Sequence, residues 1–347
     1  MHLTFTLYPL AFDLSPFLTR WQLNFMKLII GSRGSKLALW QAHWVRDQLA
    51  ASGYENEVRI IKTTGDKLQA VAPGDALPAS MAQTVAEAGN KGLFIKEIEE
   101  ALLAREIDVA VHSLKDLPTD QPAGLALGAV PPREDARDVF ITRDGQLLEN
   151  LPPHARVATS SLRRQTQLRA LRPGLVYVAM RGNLDTRLRK LERGDCEALV
   201  LAAAGMHRLG LTERITSYFS LDQMCPAVGQ GALGIEIHVD DSRAREAVAR
   251  LEHLVTHQAV RAERAVLRRL GGGCQVPIAA HGLVEDGHLQ LQGLVANLDG
   301  TRLIRAQAEG PASDPEALGT AVAEDLLRQG AKEILDSVTE TQHRWGR

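Results

Sequence analysis
The sequence predicts an α/β protein of two similar units followed by a smaller α+β domain. Three observations carry this. Short apolar runs alternate with helical periods from Lys27 to about Leu201, a βαβ rhythm that implies mostly parallel sheets covered by helices. A Gly- and Ser-bearing strand-to-helix turn occurs in each unit, at Gly31–Ser35 and at Thr159–Ser161. After Gly271 the pattern changes to three strands of period two and a helix. A chain of 347 residues is also too long for one core, since domains average roughly 150 residues.

In the first unit, Lys27–Gly31 reads as a strand, Ser35–Ala51 as a helix and Glu57–Ile61 as a strand. Leu93–Ala104 reads as a helix and Asp108–His112 as a buried strand. Thr63–Asn90 shows no convincing element, and a stretch this long is either a cover over a binding crevice or passive disorder. Pro131-Pro132 marks a boundary. The second unit runs through strand Arg156–Thr159, helix Leu162–Leu171, strand Leu175–Ala179, helix Leu184–Glu192 and strand Ala198–Leu201. A Gly-rich stretch then leads into strand Leu233–His238 and a helix pair, Ser242–Leu254 and Gln258–Leu270. The tail holds strands Val276–Val284, His288–Ala296 and Arg302–Ala308, then helix Asp314–Arg328. Residues 1–26 carry six of the 15 aromatic side chains and match nothing that follows; they are expected to be an extension outside the fold, with Met26 as the natural start.

Composition narrows the function. The chain is 45% hydrophobic and 24% charged, as ordinary soluble proteins are, and has no apolar run long enough to span a bilayer. A net charge of −2 argues against a general nucleic-acid coat. Of the 40 basic residues 31 are Arg, the side chain that grips carboxylates and phosphates bidentately; the bias reflects either a bound polyanion or genomic base composition. Cys196, Cys225 and Cys274 are odd in number and far apart, which suggests neither a disulfide framework nor a metal site and fits a reducing cytoplasm.

The candidate chemistry clusters where strands end. Gly31-Ser32-Arg33-Gly34-Ser35 offers backbone N–H groups and a positive helix end to an anion. Thr159-Ser160-Ser161 caps a helix whose first turn holds Arg163 and Arg164. Cations are unfavourable there, so they need a compensating anion or solvent. Arg181 follows another strand end and Arg187 lies one turn further on. Arg33, Arg163, Arg164, Arg181 and Arg187 either face one crevice, as ligand-binding groups at carboxyl ends of strands do, or are unrelated surface arginines. His112-Ser113-Leu114-Lys115-Asp116 also follows a strand, and a carboxylate beside Lys and His there can steer a proton or cap a loop. Cys274 follows three glycines, where it either presents its sulfur to a bulky partner or simply packs.

Together these segments resemble the porphobilinogen deaminase (hydroxymethylbilane synthase) family. The resemblance rests on Ile30–Ser35, Leu39–Ala42, Lys91–Glu97, Val111–Pro118, Thr159–Gln165, Arg181–Asn183, Pro226–Gly231 and Gly272–Pro277, in order along the chain. Departures are small: Asn90 stands where the family often has Gly, and Thr64 where some relatives carry Arg before Gly-Asp. The resemblance implies two periplasmic-binding-protein-like lobes with a site between them, plus a small α+β C-terminal domain. It divides the chain into residues 27–131 with 226–250, 132–225 and 251–347. It implies a cytoplasmic transferase, monomeric and without nucleic-acid, membrane or metal partners. That enzyme condenses four porphobilinogen molecules head to tail into hydroxymethylbilane for tetrapyrrole biosynthesis, releasing ammonia.

The implied cofactor is a dipyrromethane held by a thioether to Cys274, with Asp116 as the catalytic carboxylate. Ser113, Lys115, Thr159, Ser161, Arg163 and Arg164 would hold the cofactor, and Arg33, Ser35, Arg181 and Arg187 the substrate. The physical reading agrees. Each pyrrole brings two carboxylates, so a growing chain is a polyanion that needs many arginines. A two-lobed binding protein for an anionic small molecule is the rival reading; it would use the same crevice but have no use for Asp116 or Cys274.

Overall fold
The computed structural model describes residues 27–66, 94–272 and 276–345, and of 342–345 the backbone alone. Residues 1–26, Cys274 and most of the Thr63–Asn90 stretch lie outside the described residues. The first lobe begins with β1 (Leu28–Ser32), α1 (Lys36–Ala51) and β2 (Asn56–Ile60), followed by α2 (Lys96–Leu103), β3 (Val109–Ser113) and β4 (Leu125–Ala129). The chain then crosses to the second lobe. That lobe contains β5 (Asp138–Thr142), β6 (Arg156–Ala158), α3 (Leu162–Leu171), β7 (Val176–Val178), α4 (Leu184–Glu192), β8 (Ala198–Ala202), α5 (Ala203–Arg208) and β9 (Ser217–Tyr218). A second crossing returns it to the first sheet as β10 (Leu233–His238).

Both sheets follow one plan. The first has order β2-β1-β3-β10-β4 and the second β7-β6-β8-β5-β9. In each, four strands run the same way, and the strand that arrives by crossing is antiparallel to both neighbours. The α/β lobes expected from the sequence are present, in the two-lobed arrangement that the resemblance implied.

Strand periodicity explains why helices cover both faces. Leu28, Ile30, Val109, Val111, Ile235 and Ile237 face Ala42, Val45 and Leu49 of α1. Ile29 and Ala110 point the other way, toward Ile98, Ala101 and Leu102 of α2. The second sheet repeats this. Ile141, Leu199 and Leu201 meet Leu188 and Leu191 of α4, while Phe140, Val157 and Val200 meet Leu168 of α3.

The two crossings lie side by side. Glu134 N–H donates to the Gly231 carbonyl at 3.2 Å. Gly231 has φ +88°, and a Cβ there would fall 2.3 Å from the Glu134 carbonyl oxygen, so only glycine fits this junction.

α6 (Ser242–Val248) still belongs to the first lobe, packing Ala244, Ala247 and Val248 against the side chains of β1, β3 and β10. The third domain comprises α7 (Leu254–Arg269), the antiparallel sheet β11 (Ile278–Glu285), β12 (His288–Ala296) and β13 (Leu303–Pro311), α8 (Pro315–Arg328) and α9 (Ala331–Trp345). Glu263 of α7, fully buried, ties this domain to the crossings. It accepts from Arg133 Nη1 at 2.5 Å, Gly229 N at 2.7 Å and Gly282 N at 2.8 Å.

Several boundaries differ from the sequence reading. The expected helices Ser242–Leu254 and Gln258–Leu270 are divided earlier. Glu252 turns back to the Val130 N–H at 2.8 Å, and His253 caps α7, so the second helix starts at Leu254. β4 and β5 carry weak sequence signals, the first because Leu-Ala-Leu-Gly-Ala is rich in Ala and Gly and the second because Asp138 opens its short apolar run. α9 was also missed, and Thr64–Asp66, read as irregular, are helical. No helix among the described residues is long and apolar enough to cross a membrane.

α7 and α8 touch at Gly319, where a Cβ would lie 2.3 Å from the Ala262 carbonyl oxygen and 2.6 Å from Ala265 Cβ. Gly319→Ala is therefore expected to lose about 1–3 kcal/mol of stability through overpacking. The fall in urea midpoint relative to the unsubstituted protein measures it.

Candidate active-site cleft
The strand ends bring the chemistry to the gap between the lobes. β1 ends in Arg33 and Ser35; Ser35 caps α1 by accepting from Ala38 N at 3.3 Å. β3 ends in Ser113, to whose Oγ Gln41 donates at 2.9 Å, and continues into a 3₁₀ turn, Leu114–Asp116. From the second lobe, β6 leads through Thr159 and Ser161 into α3. Ser161 Oγ accepts from Arg164 N, and Thr159 Oγ1 from Ser161 N at 3.2 Å. The cleft between these ends encloses about 270 Å³ and is lined by Arg33, Ser35, Ser113, Lys115, Asp116, Arg164 and Arg187, among others.

A second cavity of about 200 Å³ adjoins it, lined by Lys115, Asp116, Ser161, Arg163 and Arg164 with Leu267, Val276 and Ile278 of the third domain. Lys115, Asp116 and Arg164 line both spaces. Leu267 and Val276 lie on either side of Cys274 in the chain, so the segments flanking that cysteine reach the second cavity. Cys196 and Cys225 are buried, and burial pushes their thiols up to about 11 and about 12, which keeps them unreactive.

The structure corrects one inference about the arginines. The compensating anion for Arg163 and Arg164 is within the protein: Asp138, at the start of β5 and fully buried. Arg163 Nη1 donates to its Oδ2 at 2.7 Å, Arg164 Nε to its Oδ1 at 2.9 Å and Gln230 Nε2 to Oδ1 at 3.1 Å. Arg163 Nη1 also reaches the Cys225 carbonyl at 2.7 Å, and Arg164 Nη1 the Val200 carbonyl at 3.0 Å. Two cations and one anion leave this cluster one positive charge in excess at the cleft wall.

Arg181 is exposed and is not among the cleft-lining residues, whereas Arg187 lines the cleft, its Nε bonded to the Gly182 carbonyl at 2.9 Å. Thr159 is buried and lines neither cavity.

Electrostatics make the cleft hungry for anions. Burial pushes the Lys115 ammonium below its ordinary pKa, with Asp116 pulling it back and Arg164 and Arg163 adding to the depression. Burial likewise lowers Arg187, and Arg164 adds to that, while Asp116 opposes both. Arg208, which sequence reading missed, lines the cleft from α5, donates to the Gly231 carbonyl at 2.7 Å and is lowered by burial to about 10. Its only sequence signal was an Arg soon after a strand end. Asp138 had a weaker one still, a lone acid ahead of an apolar run.

Beneath the cleft, His112 Nε2 lies 3.1 Å from Glu236 Oε2. Burial, with the Glu236 charge, pushes nearby Glu99 up to about 7 against the opposing pull of His112.

Asp138 makes Arg163 a structural residue as well as part of the wall of the second cavity. Removing one partner of a buried ion cluster costs about 3–5 kcal/mol, so Asp138→Asn and Arg163→Leu should both destabilise the fold by about that much at pH 7. The two arginines outweigh burial and hold the Asp138 carboxyl well below its ordinary value. A depressed carboxylate contributes stability above its unfolded pKa of about 4 and loses it as pH falls further. The deficit of Asp138→Asn, measured by denaturant unfolding, should therefore be full at pH 7 and shrink below pH 4.

Comparison with known proteins bears on the same residues. The family model "Porphobilinogen deaminase, dipyromethane cofactor binding domain" matches residues 28–246, and the model of the porphobilinogen deaminase C-terminal domain matches residues 257–328. The chain is 53% identical over 317 residues to a porphobilinogen deaminase of Desulforudis audaxviator, covering 90% of this chain and 98% of that one. It is 49% identical over 318 residues to one of Geobacter sulfurreducens, covering 91% and 96%. Among solved structures, a periplasmic substrate-binding protein from Coxiella burnetii overlaps 65% of this chain and 91% of its own at a TM-score of 0.38 and 11% identity, too slight to carry weight. With both family domains matched in order and half the residues shared with full-length relatives, the chain belongs to the porphobilinogen deaminase family.

Proposed function
We propose that this protein is a transferase that condenses porphobilinogen head to tail into hydroxymethylbilane, working in the cytoplasm as a monomer. The observation that carries this reading is the position of Asp116. It lines both the arginine-bearing cleft and the second cavity, where the segments flanking Cys274 arrive. A carboxylate at that junction stands between an incoming monomer and an anchored chain end.

The second cavity fits a dipyrromethane by the chemistry of its lining. Lys115, Arg163, Arg164 and Ser161 are donors suited to pyrrole carboxylates, and Leu267, Val276 and Ile278 supply an apolar wall. Attached to Cys274 by a thioether, that group supplies the nucleophilic pyrrole carbon on which the chain is extended. Arg33, Ser35 and Arg187 bind the carboxylates of the incoming substrate. Arg181 lies outside the cleft lining and would act only on a chain that has grown beyond it.

In each cycle Asp116 gives a proton to the leaving amine as the C–N bond of the porphobilinogen aminomethyl group breaks, releasing ammonia. The carboxylate then faces the cationic azafulvene and stabilises it. A chain end held by Ser161, Lys115, Arg163 and Arg164 would supply the carbon for the new C–C bond, and the Asp116 carboxylate, having given up its own proton, could accept the proton displaced from that carbon. Holding both partners turns a bimolecular encounter into attack on a positioned neighbour, which lowers the barrier by several kcal/mol.

Two measurements test the proposal. Asp116→Asn keeps size and removes the charge; it is expected to lower porphobilinogen consumption by at least 10²–10⁴-fold, the effect of losing a positioned acid or base, while circular dichroism stays unchanged. Near-normal turnover would reject Asp116. Intact-mass analysis of protein from cells that make porphobilinogen should show two linked pyrroles on the unsubstituted chain and on Cys196→Ser and Cys225→Ser. Cys274→Ser should lack them and be almost inactive. An unmodified Cys274 in fully active protein would refute the attachment.

A further inference from the structure
Arg33, a cleft cation, is held by a carboxylate and an aromatic ring together. Asp66 Oδ1 accepts from its Nε at 3.2 Å and its Nη2 at 2.7 Å, and the Phe94 ring centroid lies 4.0 Å from its Cζ. Asp66 is itself fixed: the fully buried Thr63 donates from Oγ1 to Asp66 Oδ2 at 2.8 Å. The next residue is pinned too, because Thr64 N and Oγ1 both donate to Glu97 Oε1, at 2.6 and 2.5 Å. Glu97 belongs to α2, the helix that Phe94 precedes. Arg33 is thus clasped between the end of the β2 segment and the start of α2.

We propose that Asp66 is a positioning residue for substrate recognition, presetting the Arg33 guanidinium with Phe94 so that its remaining donors meet a carboxylate of the incoming pyrrole. The inference rests on the porphobilinogen reading of the cleft and adds to it a residue that does not touch substrate. Arg33 and Phe94 line the cleft, and Asp66 is not among the lining residues.

A guanidinium has five N–H donors. Asp66 engages Nε and one hydrogen of Nη2, which leaves both Nη1 hydrogens and the second Nη2 hydrogen. One Nη1 hydrogen and the remaining Nη2 hydrogen form the parallel pair that a carboxylate takes bidentately. The ring of Phe94 covers one face and restricts rotation about the guanidinium stem. A preset fork loses little freedom on binding, whereas a free arginine must be ordered by the ligand itself. Burial opposes the Asp66 charge, but Arg33 and Thr63 hold its carboxyl below the ordinary value, so the clasp is ionised at neutral pH.

A resident carboxylate has a competing effect, since it neutralises part of the Arg33 charge and repels another anion. The two effects move KM in opposite directions, so steady-state kinetics on the purified, cofactor-loaded protein with porphobilinogen decides. Asp66→Asn is expected to raise KM about tenfold with kcat within about twofold, because ordering the side chain then falls on the substrate. Asp66→Glu, which keeps the charge, should recover part of that loss. Thr63→Val, which frees one Asp66 oxygen, should raise KM about threefold, and it decides the matter if Asp66→Asn does not fold.

An unchanged or lowered KM in these variants overturns the proposal, as does a lowered melting temperature with unaltered KM, the mark of a merely structural contact. Wild-type protein that consumes no porphobilinogen would refute the functional reading itself; wild-type turnover beside unaltered variant KM removes only the role of Asp66.

Discussion
One buried carboxylate, Asp138, holds the active cleft in shape. It is the first residue of β5, so it enters the second lobe as the chain completes its first crossing. Arg163 and Arg164, at the start of α3, close on its two oxygens, and Gln230 from the second crossing adds a third donor. A carboxylate in that setting is affordable only because every contact is made, since an isolated buried charge would cost several kcal/mol. The cluster therefore fixes three pieces at once: the β5 strand, the α3 N-terminus and the returning chain. The Asp138 carboxylate also explains how two cations stand at a helix start, where the peptide dipoles oppose them.

The third domain is joined to the lobes by a second polar hub. Glu263 of α7 accepts from Arg133 on the first crossing, Gly229 on the second and Gly282 of β11. Arg133 Nε also donates to the Gln230 carbonyl at 2.8 Å, so the two hubs share one short stretch of chain. Arg208 adds a contact from the second lobe to the same stretch at Gly231. The two crossings are thus tied to both lobes and to the domain that bears Cys274. The hubs hold the segments that flank Cys274 near the turn that carries Asp116.

The cleft cations fall into two classes. Arg163 and Arg164 are satisfied inside the protein by Asp138, and Arg33 is clasped by Asp66. Arg187 and Arg208 instead bond only to backbone carbonyls among the contacts described, and both have pKa values lowered by burial. A cation taken out of water without a hydrogen-bonded carboxylate is a standing cost, and a polyanionic ligand relieves it. The first class instead meets a ligand with the donors that its internal carboxylates leave free.

Sequence alone determined the local pieces. The short apolar runs of β1 and β3, the period-two run of β12, the Ser caps of α1 and α3 and the helix bounds Leu162–Leu171 and Leu184–Glu192 follow from nearest neighbours along the chain. It also determined the family, because the motifs around Ser35, Asp116, Arg163 and Cys274 are long and local. Sequence did not show that Asp138, some 25 residues before Arg163, would take up both arginines, because an ion pair across a sheet depends on which strands become neighbours. Nor did it place Arg208 in the cleft, leave Arg181 out of it or join Asp66 to Arg33. The break between α6 and α7 was hidden as well, since it follows from Glu252 reaching back to Val130 over 122 positions. Hydrophobic periodicity and caps are properties of a segment. Charge partnership and access to a shared cleft exist only once distant segments have packed, and the tertiary structure alone decided them.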